Sequence, residues 1–180
     1  MPHDSLKRIR WDEPARMLSN VLKTTAFLVA LWSVFLFALP IGISIVEVEL
    51  GVQRFPPQPV IAGPLLLVCT LLVLWSAFTL AVVGSGTPLL LDPPRQLVVS
   101  GPYAYVRHPF VIGLVGQIVA LAIALGSVPV TIYAALLLVV WYYGIRPGEE
   151  RALETRFSEQ ARLYRKHVRG FRPRLNPYRP

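Results

Sequence analysis

Two short charged segments border residues 109–145, one of the two longest uncharged stretches of the sequence, and both contain side chains that could bind a ligand. The first is Arg107-His108-Pro109, and the second contains Arg146 and the pair Glu149-Glu150. Side chains of both charges could bind a ligand that is itself partly cationic and partly anionic. Basic residues at such a border also anchor membrane helices, and acidic residues often begin a helix. The segments therefore indicate either a binding site or simple anchoring.

The elements that position these segments are apolar blocks. The chain has 180 residues, 54% of them hydrophobic and only 16% charged, which is typical of a membrane protein. Three stretches lack charge: Ala26–Val46, Phe55–Leu91 with its densest part at 60–83, and Pro109–Ile145. The last is too long for one span of about 20 residues, and Gly126 to Pro129 offers a turn in its middle. We therefore predict an all-α integral membrane protein with about four transmembrane helices, the last two forming a short hairpin.

The distribution of basic residues predicts the orientation. With four spans, the N-terminus, the 84–108 loop and the C-terminus share one side and contain 17 of the 18 Lys and Arg residues, all except Arg54. The positive-inside rule places that side, with both termini, in the cytoplasm. Anionic headgroups of membrane lipids account for the net charge of +8, and a nucleic-acid partner is not needed.

A single membrane domain of residues 1–180 fits this pattern. We divide it into a cytoplasmic segment 1–25, two spans within 26–83, a segment 84–173 with the loop, the hairpin and a C-terminal helix, and a tail 174–180. The first apolar block is too long for a cleaved signal peptide, so we predict that it is an anchor. Within residues 1–25, a short apolar pattern is compatible with an interfacial helix.

The predicted C-terminal helix begins at Pro147 and is amphipathic. Its apolar residues recur at helical spacing, and its other face is rich in Arg, Glu and Gln. Glu150 falls on the covered side, and Arg146 lies four residues before it, close enough for an ion pair if the helical path is only bent at Pro147-Gly148. The apolar positions are Leu153, Phe157, Ala161, Tyr164 and Val168.

The order and spacing of these motifs resemble a known family. The motifs are Gly101-Pro102-Tyr103, then Val106 to Pro109 with Gly113, then Glu149-Glu150 with Leu153, Phe157, Tyr164, Val168 and Pro173. They resemble the isoprenylcysteine carboxyl methyltransferases and their relatives, the membrane phospholipid methyltransferases, over about residues 84–173. The resemblance implies an enzyme that uses S-adenosylmethionine and has its site at the cytoplasmic end of the hairpin.

The same resemblance implies roles for individual residues. Arg146 and Glu150 would be catalytic, and the cofactor would contact Tyr105, Arg107, His108, Pro109, Gly113, Glu149 and Glu150. The sequence departs from the family at Val111 and Ala161, where tyrosine is usual, and at Ser158, where glycine is usual. We expect Glu150→Ala and His108→Ala each to abolish binding of the methyl donor.

Several alternatives remain open from the sequence. The acceptor could be a prenylated, isoprenylcysteine-like carboxylate, which the resemblance ranks first, or a phospholipid amine or a small thiol. Sterol and enone reductases that use a nicotinamide cofactor resemble the same C-terminal half, and a non-catalytic membrane scaffold would need no cofactor. His3, His108 and His167 share no ligand spacing with Cys or acids, so no metal site is predicted. The sequence predicts no oligomeric state.

Overall fold

The computed structural model describes residues 13–86 and 95–179. Every regular element in these two ranges is helical. Parts of the predicted segments 1–25 and 84–108 lie outside the described residues, as does Pro180. The α-helices are α1 (Glu13–Leu31), α2 (Leu39–Glu49), α3 (Pro59–Val82), α4 (Pro109–Leu125), α5 (Val128–Val140) and α6 (Arg146–His167).

Three helical stretches are long and apolar enough to cross a membrane: Pro14–Glu49, Pro59–Val82 and Val128–His167. Helix α4, with 17 residues, is also apolar but shorter than a typical span of about 20 residues. The protein is therefore an integral membrane protein, and the part of it that the structure describes is all-helical. A fourth span through α4 remains a prediction.

The first span contains a π-helical segment, Trp32–Ala38, immediately before Pro40. In this segment the Leu39 amide donates to the Val34 carbonyl, five residues earlier. The equivalent partner of the Phe35 carbonyl would be Pro40, which has no amide hydrogen. The hydroxyl of Tyr133 donates to that carbonyl instead, at 3.1 Å. A neighbouring helix thus satisfies a group that would be costly to leave unpaired in a membrane.

Helices α3 and α4 pack closely because α4 has small residues at the contact. A Cβ atom on Gly113 would lie 2.7 Å from Val73 Cγ2 and 3.0 Å from the Cys69 carbonyl oxygen. In the same bundle, the buried amide of Gln117 accepts from the Trp32 indole at 3.2 Å and donates to the Thr70 hydroxyl at 2.8 Å. Small residues and shared polar contacts are the usual means of joining membrane helices.

The predicted hairpin turn is confirmed between α4 and α5. Gly126 ends α4 in the left-handed conformation, with φ of 67°, where glycine is favoured. The Ser127 side chain then caps α5 by accepting from the Val130 amide. The hairpin therefore places the start of α4 and the end of α5 at the same end of the bundle.

Helix α6 begins at Arg146, one residue before the predicted start at Pro147, but it is not a separate new helix as predicted. Helix α5 continues through a π-helical segment, Trp141–Ile145, directly into α6. As at Pro40, a π-helical segment just before the proline accommodates its missing amide hydrogen. The helical path is interrupted at Ser158 instead, where φ is 42° and ψ is −112°.

The apolar face predicted for α6 is covered as expected. Ala161, Tyr164 and Val168 are buried, and Leu153 and Phe157 are half-buried. Charged residues on the opposite face of the helix are exposed.

Candidate active site

The segment before α4 is hydrogen-bonded to the C-terminal part of α6. A short 3₁₀ turn, Gly101–Ala104, buries Tyr103, and the Tyr164 hydroxyl donates to the Tyr103 carbonyl at 2.7 Å. His108 precedes Pro109, which disfavours a helical conformation at His108 and suits the first turn of α4. Arg107 and His108 are thereby placed at the end of the bundle where α5 runs into α6.

The carboxylate of Glu150 is the centre of a cluster of basic side chains. Its Oε1 atom accepts from Arg107 Nη1 and from Arg146 Nε, each at 3.0 Å. The same oxygen lies 3.7 Å from His108 Nε2, and Oε2 lies 3.3 Å from Arg165 Nη2. We call these five residues the Glu150 cluster. It joins the loop before α4 to both ends of α6.

Two structural features bring the cationic side chains to Glu150. Because the helix is continuous through Pro147, Arg146 and Glu150 form the predicted pair at a spacing of four residues. Arg165 lies beyond the interruption at Ser158 and also pairs with Glu154 at 2.6 Å. The pair of Arg146 and Glu150 could be predicted from the sequence, whereas the pair of Arg165 and Glu150 depends on the interruption of α6.

The histidine of the cluster is neutral at physiological pH. Burial, followed by the charge of Arg107, lowers the pKa of His108 from 6.5 to about 4, although Glu150 acts in the opposite direction. His108 Nε2 is buried and has no hydrogen-bond partner among the described residues. Burial also lowers the pKa of Arg107, whose Nε atom is likewise buried and unpartnered. The cluster thus contains two buried polar atoms whose hydrogen-bonding capacity is not used by the described residues.

Aromatic side chains form one side of the cluster. The rings of His108 and Trp141 are 4.7 Å apart, and Phe171 lies 5.7 Å from Trp141 and 6.1 Å from His108. Arg146 lies over the ring of Tyr142, with its Cζ 4.5 Å from the ring centroid. Burial, followed by the charge of Glu150, raises the pKa of Glu149, although the Trp141 side chain acts in the opposite direction. These rings limit the access of water, which strengthens the electrostatic interactions beside them.

The chain beyond α6 folds back along the segment that carries His108. The amides of Arg107 and His108 donate to the carbonyls of Arg169 and Gly170, at 3.1 and 3.4 Å. In the other direction, the amide of Arg174 donates to the Tyr105 carbonyl at 3.0 Å. A further bond at 2.9 Å joins the Tyr178 amide to the Ala104 carbonyl. We call residues 169–178 the C-terminal strap.

The structure brings together most, but not all, of the residues predicted for the site. Arg107, His108, Arg146 and Glu150 meet in one cluster, with Glu149 beside it on α6. Tyr105 contacts the strap through its backbone, and Pro109 is fully buried at the start of α4. Gly113 faces α3, where close packing explains the glycine. Of the departures from the family, Val111 is half-buried and Ala161 is buried.

Sequence reasoning did not identify Trp141, Phe171 or the strap. Trp141 directly precedes Tyr142 and Tyr143 in the sequence. Aromatic residues at the end of a span are typical of the aromatic belt at the membrane interface, so Trp141 did not stand out as a site residue. The strap folds back through backbone hydrogen bonds, and these do not require particular side chains that a sequence would reveal. In the part of the chain that the structure describes, no group of metal-ligating side chains is found.

Comparison with known proteins gives the family. The profile of the family described as phospholipid methyltransferase matches residues 58–160, which is more than half of the chain. The cobalt-zinc-cadmium resistance protein CzcN of Cupriavidus metallidurans is 37% identical over 121 residues, covering 65% of this chain and 53% of that protein. The chain thus spans about half the length of this curated relative. No solved structure matches the chain significantly. From the match over residues 58–160, the chain belongs to the phospholipid methyltransferase family.

Proposed function

We propose that the protein transfers a methyl group from S-adenosylmethionine to a lipid-soluble acceptor in the membrane. The observation that carries the proposal is the Glu150 cluster, which joins the Arg107-His108 segment to α6 in a member of this family. By the distribution of basic residues, the site faces the cytoplasm.

The chemistry of the cluster fits this cofactor. S-adenosylmethionine carries a sulfonium, an ammonium, a carboxylate and ribose hydroxyls, so its binding site needs both acids and bases. Glu149 and Glu150 supply acids, and the unpartnered Arg107 Nε and His108 Nε2 supply free polar atoms. Tyr105, Pro109 and Gly113, which the family resemblance also assigns to the cofactor, remain proposed contacts.

When bound, the cofactor supplies a methyl group that its sulfonium makes susceptible to nucleophilic attack. The protein's own contribution is alignment and exclusion of water, since a displacement of this kind depends on both. The Glu150 carboxylate fixes the orientation of Arg107 and Arg146. The rings of Trp141 and Phe171 shield that arrangement from solvent.

Arg146 and Glu150 are the proposed catalytic residues, and their roles depend on the acceptor. A carboxylate acceptor would be oriented by the Arg146 guanidinium, which can bind it through two parallel N–H bonds. An amine acceptor would lose a proton to a base such as the Glu150 carboxylate. The half-buried guanidinium groups favour the carboxylate of an isoprenylcysteine-like lipid. The family description favours a phospholipid amine as the second candidate.

A transfer assay with chemically distinct acceptors would test the proposal. The full chain in lipid nanodiscs would be given methyl-labelled S-adenosylmethionine and one of three acceptors: N-acetyl-S-farnesylcysteine, phosphatidylethanolamine or a long-chain thiol. A base-labile label would identify a carboxyl ester, whereas a base-stable lipid label would identify an amine or thiol product.

The matched variants are Glu150→Gln and Glu154→Gln, which lie one helical turn apart on α6. We expect the first to lose transfer and the second to retain it, because Glu154 contacts only Arg165 among the cluster residues. If the protein binds the donor but labels none of the three acceptors, that result would contradict a lipid-soluble acceptor of these classes. Binding of a reduced nicotinamide cofactor instead would favour the reductase alternative.

A further inference from the structure

The C-terminal strap contains a buried cationic atom that the proposed site does not yet use. Nη1 of Arg174 is buried and has no hydrogen-bond partner among the described residues. The residue's amide is bonded to the Tyr105 carbonyl, so its backbone lies beside the segment that leads to Arg107 and His108. The strap also lies beyond residues 58–160, the region that the family profile matches.

An unpartnered buried guanidinium nitrogen is costly, because its hydration is lost without a replacement hydrogen bond. The strap nevertheless holds Arg174 in place by backbone bonds on both sides, at residues 169–170 and at Tyr178. Pro173 and Pro177 restrict the backbone around it. A side chain positioned in this way, with a free donor, is suited to receive an anionic group from a ligand.

We propose that Arg174 binds the carboxylate of the methyl donor. This inference rests on the proposed function, since it assigns a contact within the same cofactor site. Arg107, Arg146 and Arg165 already donate to Glu150 or lie in ion-pair contact with it. Arg174 has no such acidic partner among the described residues, so its guanidinium is available for the donor's only carboxylate.

The test compares two ligands, of which only one carries that carboxylate. S-adenosylmethionine and 5′-methylthioadenosine share the adenosine and a sulfur atom, but only the first carries the amino-acid portion and a positive charge on sulfur. Both would be titrated by calorimetry into the detergent-purified full chain and into Arg174→Gln. We expect the dissociation constant for S-adenosylmethionine to rise about tenfold to a hundredfold, and that for methylthioadenosine to stay unchanged.

Two further variants show whether the effect of Arg174→Gln arises from a lost contact with the ligand or from a disturbed fold. Arg172→Gln removes an exposed arginine of the same strap and should bind both ligands as the wild type does. Arg174→Lys keeps the charge and should weaken S-adenosylmethionine binding less than Arg174→Gln. A parallel loss of both ligands in Arg174→Gln would show a structural role for the strap and would overturn the assignment.

The remaining outcomes distinguish this inference from the proposed function. If the wild type binds S-adenosylmethionine and Arg174→Gln binds it equally well, the Arg174 assignment is wrong and the function stands. If Arg174→Gln binds the donor normally but loses binding of N-acetyl-S-farnesylcysteine, the guanidinium serves the acceptor, which also contradicts the assignment. If the wild type does not bind S-adenosylmethionine at all, both proposals fail.

Discussion

Replacing Glu150 with glutamine should destabilise the protein strongly, because one carboxylate holds several cations together. The side chains of Glu150, Arg107 and Arg146 are only 13%, 12% and 17% exposed, so their ion pairs are poorly hydrated. Removing one partner of a buried ion pair costs about 3–5 kcal/mol, and we take about 3 kcal/mol for this partly exposed cluster. For a chain of this size that corresponds to a decrease in Tm of roughly 6–12 °C.

The matched control is Glu154→Gln on the same helix. Its pair with Arg165 has side chains that are 36% and 49% exposed, and such surface pairs contribute about 1 kcal/mol or less. The expected decrease in Tm is therefore no more than about 4 °C. Intrinsic tryptophan fluorescence during heating in detergent would measure both variants under the same conditions.

A double-mutant cycle would show that the effect arises from the ion pair. If the carboxylate stabilises the protein by pairing with Arg107, then Arg107→Gln should cost less in the Glu150→Gln background than in the wild type. Equal Tm values for Glu150→Gln and Glu154→Gln, or strictly additive effects in the cycle, would refute the view that Glu150 organises the cluster.

Three further predictions concern packing, a buried hydrogen bond and pH. Gly113→Ala should destabilise by about 1–3 kcal/mol, because the added Cβ collides with α3, whereas Gly63→Ala should not collide with any neighbour. Tyr164→Phe should cost about 1–3 kcal/mol, since the buried Tyr103 carbonyl loses its donor. Stability should fall as pH decreases from about 6.5 to about 4, because the pKa of His108 is about 4 in the folded protein. Chemical or thermal unfolding measures all three.

The sign of the pH effect follows from proton binding. Between these pH values the unfolded chain binds a proton at His108 and the folded protein does not, so acidification favours unfolding. The loss is on the order of 3 kcal/mol and should be absent in His108→Gln. A pH profile that is the same in the variant and in the wild type would contradict a buried neutral histidine. For the other two predictions, wild-type stability of Gly113→Ala or Tyr164→Phe would be the contradicting result.

Much of the fold could be predicted because a membrane imposes strong constraints on composition. Apolar length predicted the helices, and Gly126 marked the hairpin turn, where a left-handed residue ends α4. The pair of Arg146 and Glu150 followed from helical spacing, provided that the helical path continues through Pro147. These features depend on residues that are near each other in the sequence.

The features that the sequence did not reveal depend on contacts between distant segments. Pro40 and Pro147 each follow a π-helical segment, and at Pro40 a carbonyl finds its partner on another helix, Tyr133. The return of the strap and the contact of Phe171 with His108 likewise require the folded backbone. Gly113 was predicted to contact the cofactor because it lies near the motif. In the structure it lies against α3, and the sequence does not distinguish these two reasons for a glycine.

The measurement that tests the account most directly is calorimetric titration of S-adenosylmethionine into the purified full chain. Glu150→Gln and Glu154→Gln would be titrated beside it, at a temperature at which all three proteins are folded. The account predicts saturable binding by the wild type and by Glu154→Gln, and its loss in Glu150→Gln. Absence of binding to folded wild-type protein, or equal binding by all three, would contradict a methyl-donor site at the Glu150 cluster.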